Sequence, residues 1–151
     1  MIESQYTANV GKRLSAAEMR TWKVNDNFAG GVPDAFYRHR QGKRPLWAEY
    51  KFIKALPKRT DTIVKPNLSE QQLIWLKEAV AANELAVVII GCEDIKYQRQ
   101  VCGVVMTDPN EWEHGITSGL FAERAETLNY NAMAQFIGET TMTGQLANHL
   151  L

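Results

Sequence analysis

The chain has 151 residues, 45% hydrophobic and 23% charged, which suits one globular domain and excludes a disordered or fibrous chain. Its formal net charge of zero hides a split: residues 1–66 hold 13 Lys/Arg against 6 Asp/Glu, net +7, while residues 67–151 hold 4 against 11, net −7. The longest apolar run, LAVVII at 85–90, is too short to span a bilayer. The opening stretch MIESQYTANVGK has no apolar signal core, so a cytoplasmic protein without membrane partners is expected.

Taken in chain order, residues 2–19 have helical character, interrupted by Gly11. Residues 19–24 (MRTWKV) alternate as a strand does, and residues 25–31 form a polar, glycine-ended turn. Residues 35–38 and 46–53 read as two strands around the turn HRQGKRP, a candidate hairpin. Residues 55–68, with two prolines and several Lys/Arg, read as a long basic loop. The clearest helix is 69–82 (SEQQLIWLKEAVAA). Ser69 is its N-cap, Gln72 completes a capping box, and Leu73, Leu76 and Val80 form an apolar stripe that Trp75 and Ala79 widen. Residues 85–91 form a β-branched run of the kind buried on both faces of a sheet. A further strand is expected over 98–106, after a turn at Glu93 and Asp94; residues 108–151 are polar and weakly helical. Cys92 and Cys102 match no zinc spacing and are expected to be reduced. The order predicts a mixed α/β domain, a central sheet flanked by helices.

The hairpin carries the chemistry. Side chains alternate along a strand, so Trp47, Glu49 and Lys51 share one face, and Leu46, Ala48, Tyr50 and Phe52 form the core face. If Arg38 pairs with Pro45, the antiparallel register sets Asp34 opposite Glu49. Opposed carboxylates, with Cβ atoms about 5 Å apart, need a shared proton or a cation between them. Mg²⁺ suits such a pair because it takes hard oxygen ligands and is often held by one or two carboxylates plus substrate phosphate. Lys51 adds a donor that can stabilise charge developing on a phosphate. Read alone, the same residues also suit a solvated hairpin with surface charges.

The set GVPD (31–34), Tyr37, WAEYK (47–51), and Leu68-Ser69 leading to Gln72 and Trp75-Leu76 resembles the PD-(D/E)XK nuclease superfamily. Within it, the chain is similar to the VRR-NUC and Holliday-junction-resolvase-like branch, and to its small phage-encoded nucleases even in the loop LPKR (56–59). The resemblance covers residues 20–92. It implies a single nuclease domain with a restriction-endonuclease-like core at about 20–106 and a C-terminal helical extension at 107–151. It also implies a Mg²⁺- or Mn²⁺-dependent endonuclease with Asp34, Glu49 and the Tyr50 carbonyl as metal ligands and Lys51 as the catalytic lysine. Gln72 matches a position where the family often carries a functional glutamine, although the capping box alone also explains it. Either Glu3 or Glu18, with Glu3 ahead, would complete the site from the N-terminal segment.

On that reading, DNA is the anionic partner of the basic half. Lys54, Lys58 and Arg59 follow the catalytic strand, where phosphates need neutralising, and Arg38, Arg40, Lys43 and Arg44 on the hairpin tip could reach flanking DNA. The three histidines are expected to be structural or surface residues. Trp22, Trp75 and Trp112 are expected in the core, and Trp47 on the face of Glu49. The site would serve a junction resolvase, a nicking enzyme or a restriction-like nuclease alike. Symmetric junction cutting would call for a homodimer. A catalytically silent nucleic-acid-binding or host-interaction protein that keeps the fold is the alternative.

Overall fold

The computed structural model describes residues 1–24, 30–94 and 100–151. Most of the turn expected at 25–31, and the start of the strand expected from 98, lie outside them. The described chain is a mixed α/β fold. A five-stranded sheet in the order β1 (Met19–Lys23), β2 (Ala35–His39), β3 (Leu46–Ala55), β5 (Leu85–Asp94), β6 (Cys102–Met106) is flanked by helices. Strands β1, β2 and β3 are successively antiparallel, β3 and β5 are parallel, and β5 and β6 are antiparallel. The parallel step is where the chain crosses over through helix α2 (Glu70–Ala81).

At β3 and β5 both faces of the sheet are covered, which corrects the expectation of one core face on β3. On one side Leu46, Ala48 and Tyr50 pack with Tyr6 and Val10 of α1 (Glu3–Gly11) and with Met133, Phe136 and Ile137 of α5 (Tyr130–Thr143). On the other, Trp47 and Ile53 pack with Val88 and Ile90 of β5, Leu76 and Ala79 of α2, Trp112 of α3 (Pro109–His114) and Phe121 of α4 (Ser118–Ala125). Glu49 therefore points into a core rather than into solvent.

Tyr6 shows how closely α1 is seated. Gly91 and Gly103 are partners across β5 and β6, and a Cβ at either would come within 2.6 Å or 2.4 Å of the Tyr6 side chain. The two glycines thus make the notch that its ring fills.

Helix α2 begins as its sequence predicts. Ser69 Oγ accepts from the Gln72 N–H at 3.1 Å, and Gln72 Oε1 accepts from the Ser69 N–H at 2.9 Å, a closed capping box. Its buried stripe is Leu76 and Ala79, whereas Val80, expected in that stripe, is 40% exposed. Strand β5 runs through Glu93 and Asp94, which were expected to form a turn. The basic loop at 55–68 contains the two-residue strand β4 (Ile63–Val64), paired with β7 (Ile116–Thr117). This small ladder pins the loop to the C-terminal region. There Trp112 donates from Nε1 to the Met106 carbonyl at 2.7 Å, and Arg124 grips both oxygens of Glu111 at 2.8 and 2.9 Å. Cys92 and Cys102 oppose each other on β5 and β6, both buried, and form no disulfide. Among the described residues no helix is long and apolar enough to cross a membrane.

Candidate active site

The β2–β3 register is Ala35 with Ala48, Phe36 with Trp47 and Tyr37 with Leu46. One step further along this ladder Asp34 falls opposite Glu49, as the hairpin reading expects. Asp34 is fixed there because its Oδ2 accepts from the Tyr50 N–H at 2.9 Å. The N–H and C=O of a strand residue leave toward the same neighbour. The Tyr50 carbonyl therefore also leaves β3 on the Asp34 side.

Glu49 is 2% exposed. Its Oε1 accepts from Gln72 Nε2 at 3.0 Å and lies 4.0 Å from Lys51 Nζ. Its Oε2 is buried with no hydrogen-bond partner among the described residues. Burial and the neighbouring charge of Asp34 push its pKa up to about 8, and Lys51 only partly offsets them. An orphaned buried carboxylate oxygen facing a second carboxylate holds either a proton or a cation.

Gln72 carries out two tasks with one side chain. Because the Ser69 N–H requires an acceptor, the amide oxygen is held toward Ser69 and also accepts from Lys51 Nζ at 3.4 Å. The amide nitrogen is then committed to Glu49. The capping and site readings of Gln72 are therefore the same arrangement seen from two ends.

The loop before Asp34 is held against α2 at Gly31, which has φ +82°, and a Cβ there would stand 2.5 Å from the Gln71 carbonyl oxygen. Only glycine combines that left-handed backbone with that approach. Gly31→Ala should therefore displace Asp34 from Tyr50 and Glu49. A loss of about 2 kcal/mol is expected in urea melts, with cleavage falling further than stability alone explains.

Glu3 reaches the site from α1. Its carboxyl is held above the ordinary range by partial burial and by Asp34, against the pull of Lys51. Glu18 sits at the opposite end of the hairpin, where its carbonyl accepts from the Arg40 N–H at 2.7 Å. The fold thus brings together Asp34, Glu49, Lys51, Gln72 and the Tyr50 backbone, with Glu3 outside this cluster but near enough for the charges of Asp34 and Lys51 to act on it.

The basic residues divide. Lys54 is exposed near the C-terminal end of β3 and Lys58 just past it, and Arg59 is exposed but paired with Asp61 at 2.8 Å. Arg38, Arg40, Lys43 and Arg44 lie on β2 or the tip, toward the end away from Asp34. Arg40 donates to the Ala16 carbonyl at 3.2 Å, and Arg44 donates to the carbonyls of Gly144 and Asn83, tying the tip to the ends of α5 and α2. His39 accepts from the Gln41 N–H, while His114 and His149 are exposed beside Glu113 and Glu139.

Trp112 is in the core, Trp75 packs against it, and Trp47 stands edge-on between Phe36 and Trp75 with centroids 4.8 and 5.0 Å away. Trp22, expected in the core, is instead 66% exposed. The signal was present in its parity with Arg20, which marks that face of β1 as facing solvent.

Among the described residues no three His, Cys, Asp or Glu side chains gather closely enough to hold an ion. A divalent ion at this site would rest on the Asp34–Glu49 pair, with its orphaned oxygen, the Tyr50 carbonyl and water. That donor set is all oxygen and suits Mg²⁺ or Mn²⁺.

Neither a family model nor a curated protein matches the chain. Among solved structures it is similar to Hjc of Archaeoglobus fulgidus, a Holliday junction resolvase from an archaeal hyperthermophile. The identity is 14%, covering 79% of this chain and 98% of that one, and the TM-score is 0.42.

Proposed function

We propose that this chain is a metal-dependent DNA endonuclease that hydrolyses phosphodiester bonds at Asp34, Glu49 and Lys51, on branched DNA or by nicking a duplex. The observation that carries this reading is the buried, unpartnered Glu49 Oε2 facing Asp34, with Lys51 and Gln72 converging on the same carboxylate. A purely structural hairpin would have no reason to bury Glu49 against a second carboxylate.

Asp34 and Glu49, with the Tyr50 carbonyl, would hold Mg²⁺ or Mn²⁺. Such an ion, when bound, acidifies water and neutralises charge on a phosphate. Gln72 keeps Glu49 in one rotamer by committing an N–H to Oε1. Lys51 is 24% exposed at the side chain, so its ammonium can reach both Glu49 and an incoming phosphate oxygen, where it would stabilise the charge that builds up on phosphorus. Lys54 and Lys58 would neutralise the adjoining phosphates, a contact that weakens with salt.

The test is incubation with supercoiled plasmid, linear duplex and a four-way junction, in Mg²⁺, Mn²⁺ or EDTA. Metal-dependent cleavage is expected, falling roughly 10²–10³-fold in Lys51→Ala and further in Asp34→Asn. Fastest cutting of the junction would favour a resolvase over a nicking enzyme, and symmetric cutting of it would require a dimer. A wild-type protein that shifts DNA but cuts nothing in either metal would overturn the reading in favour of a silent binding protein.

A further inference from the structure

Successive rows of side chains cross the α2 face of the sheet where β1 and β2 form its end. The Asp34–Glu49 pair forms one row. The next is Trp22, Phe36 and Trp47, opposed in register and continued by Trp75 of α2. Beyond it stands Arg20 opposite Arg38. Neighbouring rows are about 7 Å apart, two residues of strand.

Helices α2, α3 and α4 cover this face over β5 and β6. Over β1 and β2 none of the described residues covers it: Arg20, Trp22 and Arg38 are exposed and Phe36 is half-buried. The two arginines form no ion pair with the described residues, so two like charges sit opposed with nothing between them, an arrangement that an anion relieves. The charged side chains of Arg20 and Lys23 on this edge strand also disfavour a second copy of this chain adding to β1. An exposed indole beside an arginine pair suits a polyanion that also offers flat apolar faces, which is a nucleic-acid strand with unstacked bases.

We infer that the open end of this face is a docking strip for an unpaired nucleotide strand. Arg20 and Arg38 hold a phosphate, and a base stacks on Trp22. This rests on the nuclease reading and deepens it. Trp22 lies about 8 Å from Asp34 by strand spacing and rise, so the strip leads directly to the carboxylates and the preferred substrate has an unpaired stretch beside the scissile phosphate.

The test measures anisotropy of a fluorescein-labelled oligothymidylate and of a blunt duplex of equal length, in EDTA, with wild type, Trp22→Ala and Trp22→Phe. Trp22→Ala should lose about tenfold in affinity for the oligothymidylate and under about threefold for the duplex, and Trp22→Phe should recover most of the loss. Unchanged oligothymidylate binding in Trp22→Ala, or equal loss on both probes, overturns the strip. So does a wild-type dimer in light scattering that Trp22→Ala dissociates, which would assign the indole to self-association. Wild type that binds the oligothymidylate through Trp22 yet cuts no DNA in Mg²⁺ or Mn²⁺ supports the strip and removes only the nuclease reading. Cleavage by wild type with Trp22-independent binding removes only the strip.

Discussion

Glu49→Gln should leave the metal-free protein more stable than wild type at pH 8.5 while reducing cleavage roughly a thousandfold. The two effects have one cause. Burial and Asp34 hold the Glu49 carboxyl at about 8, far above its ordinary 4.5. Between those values the folded protein keeps a proton that the unfolded chain has released, so stability falls as pH rises through this window and levels off above it. The full difference corresponds to at most about 5 kcal/mol. Glutamine cannot ionise, and its amide can still accept from Gln72 while turning N–H donors toward Asp34. At pH 8.5 a gain of about 2 kcal/mol, or roughly 4–8 °C in melting temperature, is expected, vanishing near pH 5. Mg²⁺ should raise the melting temperature of wild type at pH 8.5 and leave Glu49→Gln unmoved, because only an ionised pair has a charge for the ion to neutralise. A variant less stable than wild type at every pH would mean that the attraction of Lys51 for Glu49 outweighs the repulsion from Asp34.

Much of this site could be read from the sequence because short-range geometry determines it. A hairpin register follows from one cross-turn pair, so placing Arg38 near Pro45 was enough to set Asp34 across from Glu49. Ser69 and Gln72 announced the start of α2 by themselves. The burial of Glu49 could not be read this way, since E-x-K is equally common on exposed strands and only the packing of α2 across β3 and β5 decides the matter. The helix stripe missed at Val80 for a related reason: apolar periodicity shows that a face exists, whereas the tilt of α2 on the sheet decides that Leu76 and Ala79 occupy its centre. The β4–β7 pair, two residues on each side, is too short for any period to reveal. Residue type alone places Trp22 in the core, whereas the arginine at the same parity carries the better information.

Phe136→Ala should cost about 3–5 kcal/mol, and removal of residues 107–151 should abolish folding, although neither change touches the carboxylate site. The sequence reading treats this region as an extension of a core that ends near residue 106. In the fold it supplies a layer to each face of the sheet. On one face, Met133, Phe136 and Ile137 of α5 pack among Tyr37, Leu46 and Tyr50, and all six are almost fully buried. On the other, Trp112 and Phe121 close the core against Leu76, Val88 and Ile90. The helix ends are capped by the region's own residues, Asp108, Thr117 and Asn129, with Gly144 in the left-handed conformation closing α5. The hairpin tip depends on it too, because the Lys43 N–H donates to the Thr141 carbonyl and Arg44 to that of Gly144. Without it, Tyr37 and Tyr50, whose hydroxyls share a 2.6 Å hydrogen bond under the site, would face water, and the backbone that positions Asp34 would lose its support. Typical domain stabilities are about 5–15 kcal/mol, so losing one aromatic anchor leaves a marginal protein and losing both layers leaves none. Far-UV circular dichroism and thermal melts of Phe136→Ala and of the 1–106 fragment provide the check. A cooperative melt from the fragment would show that the sheet and its carboxylates stand without their C-terminal cover.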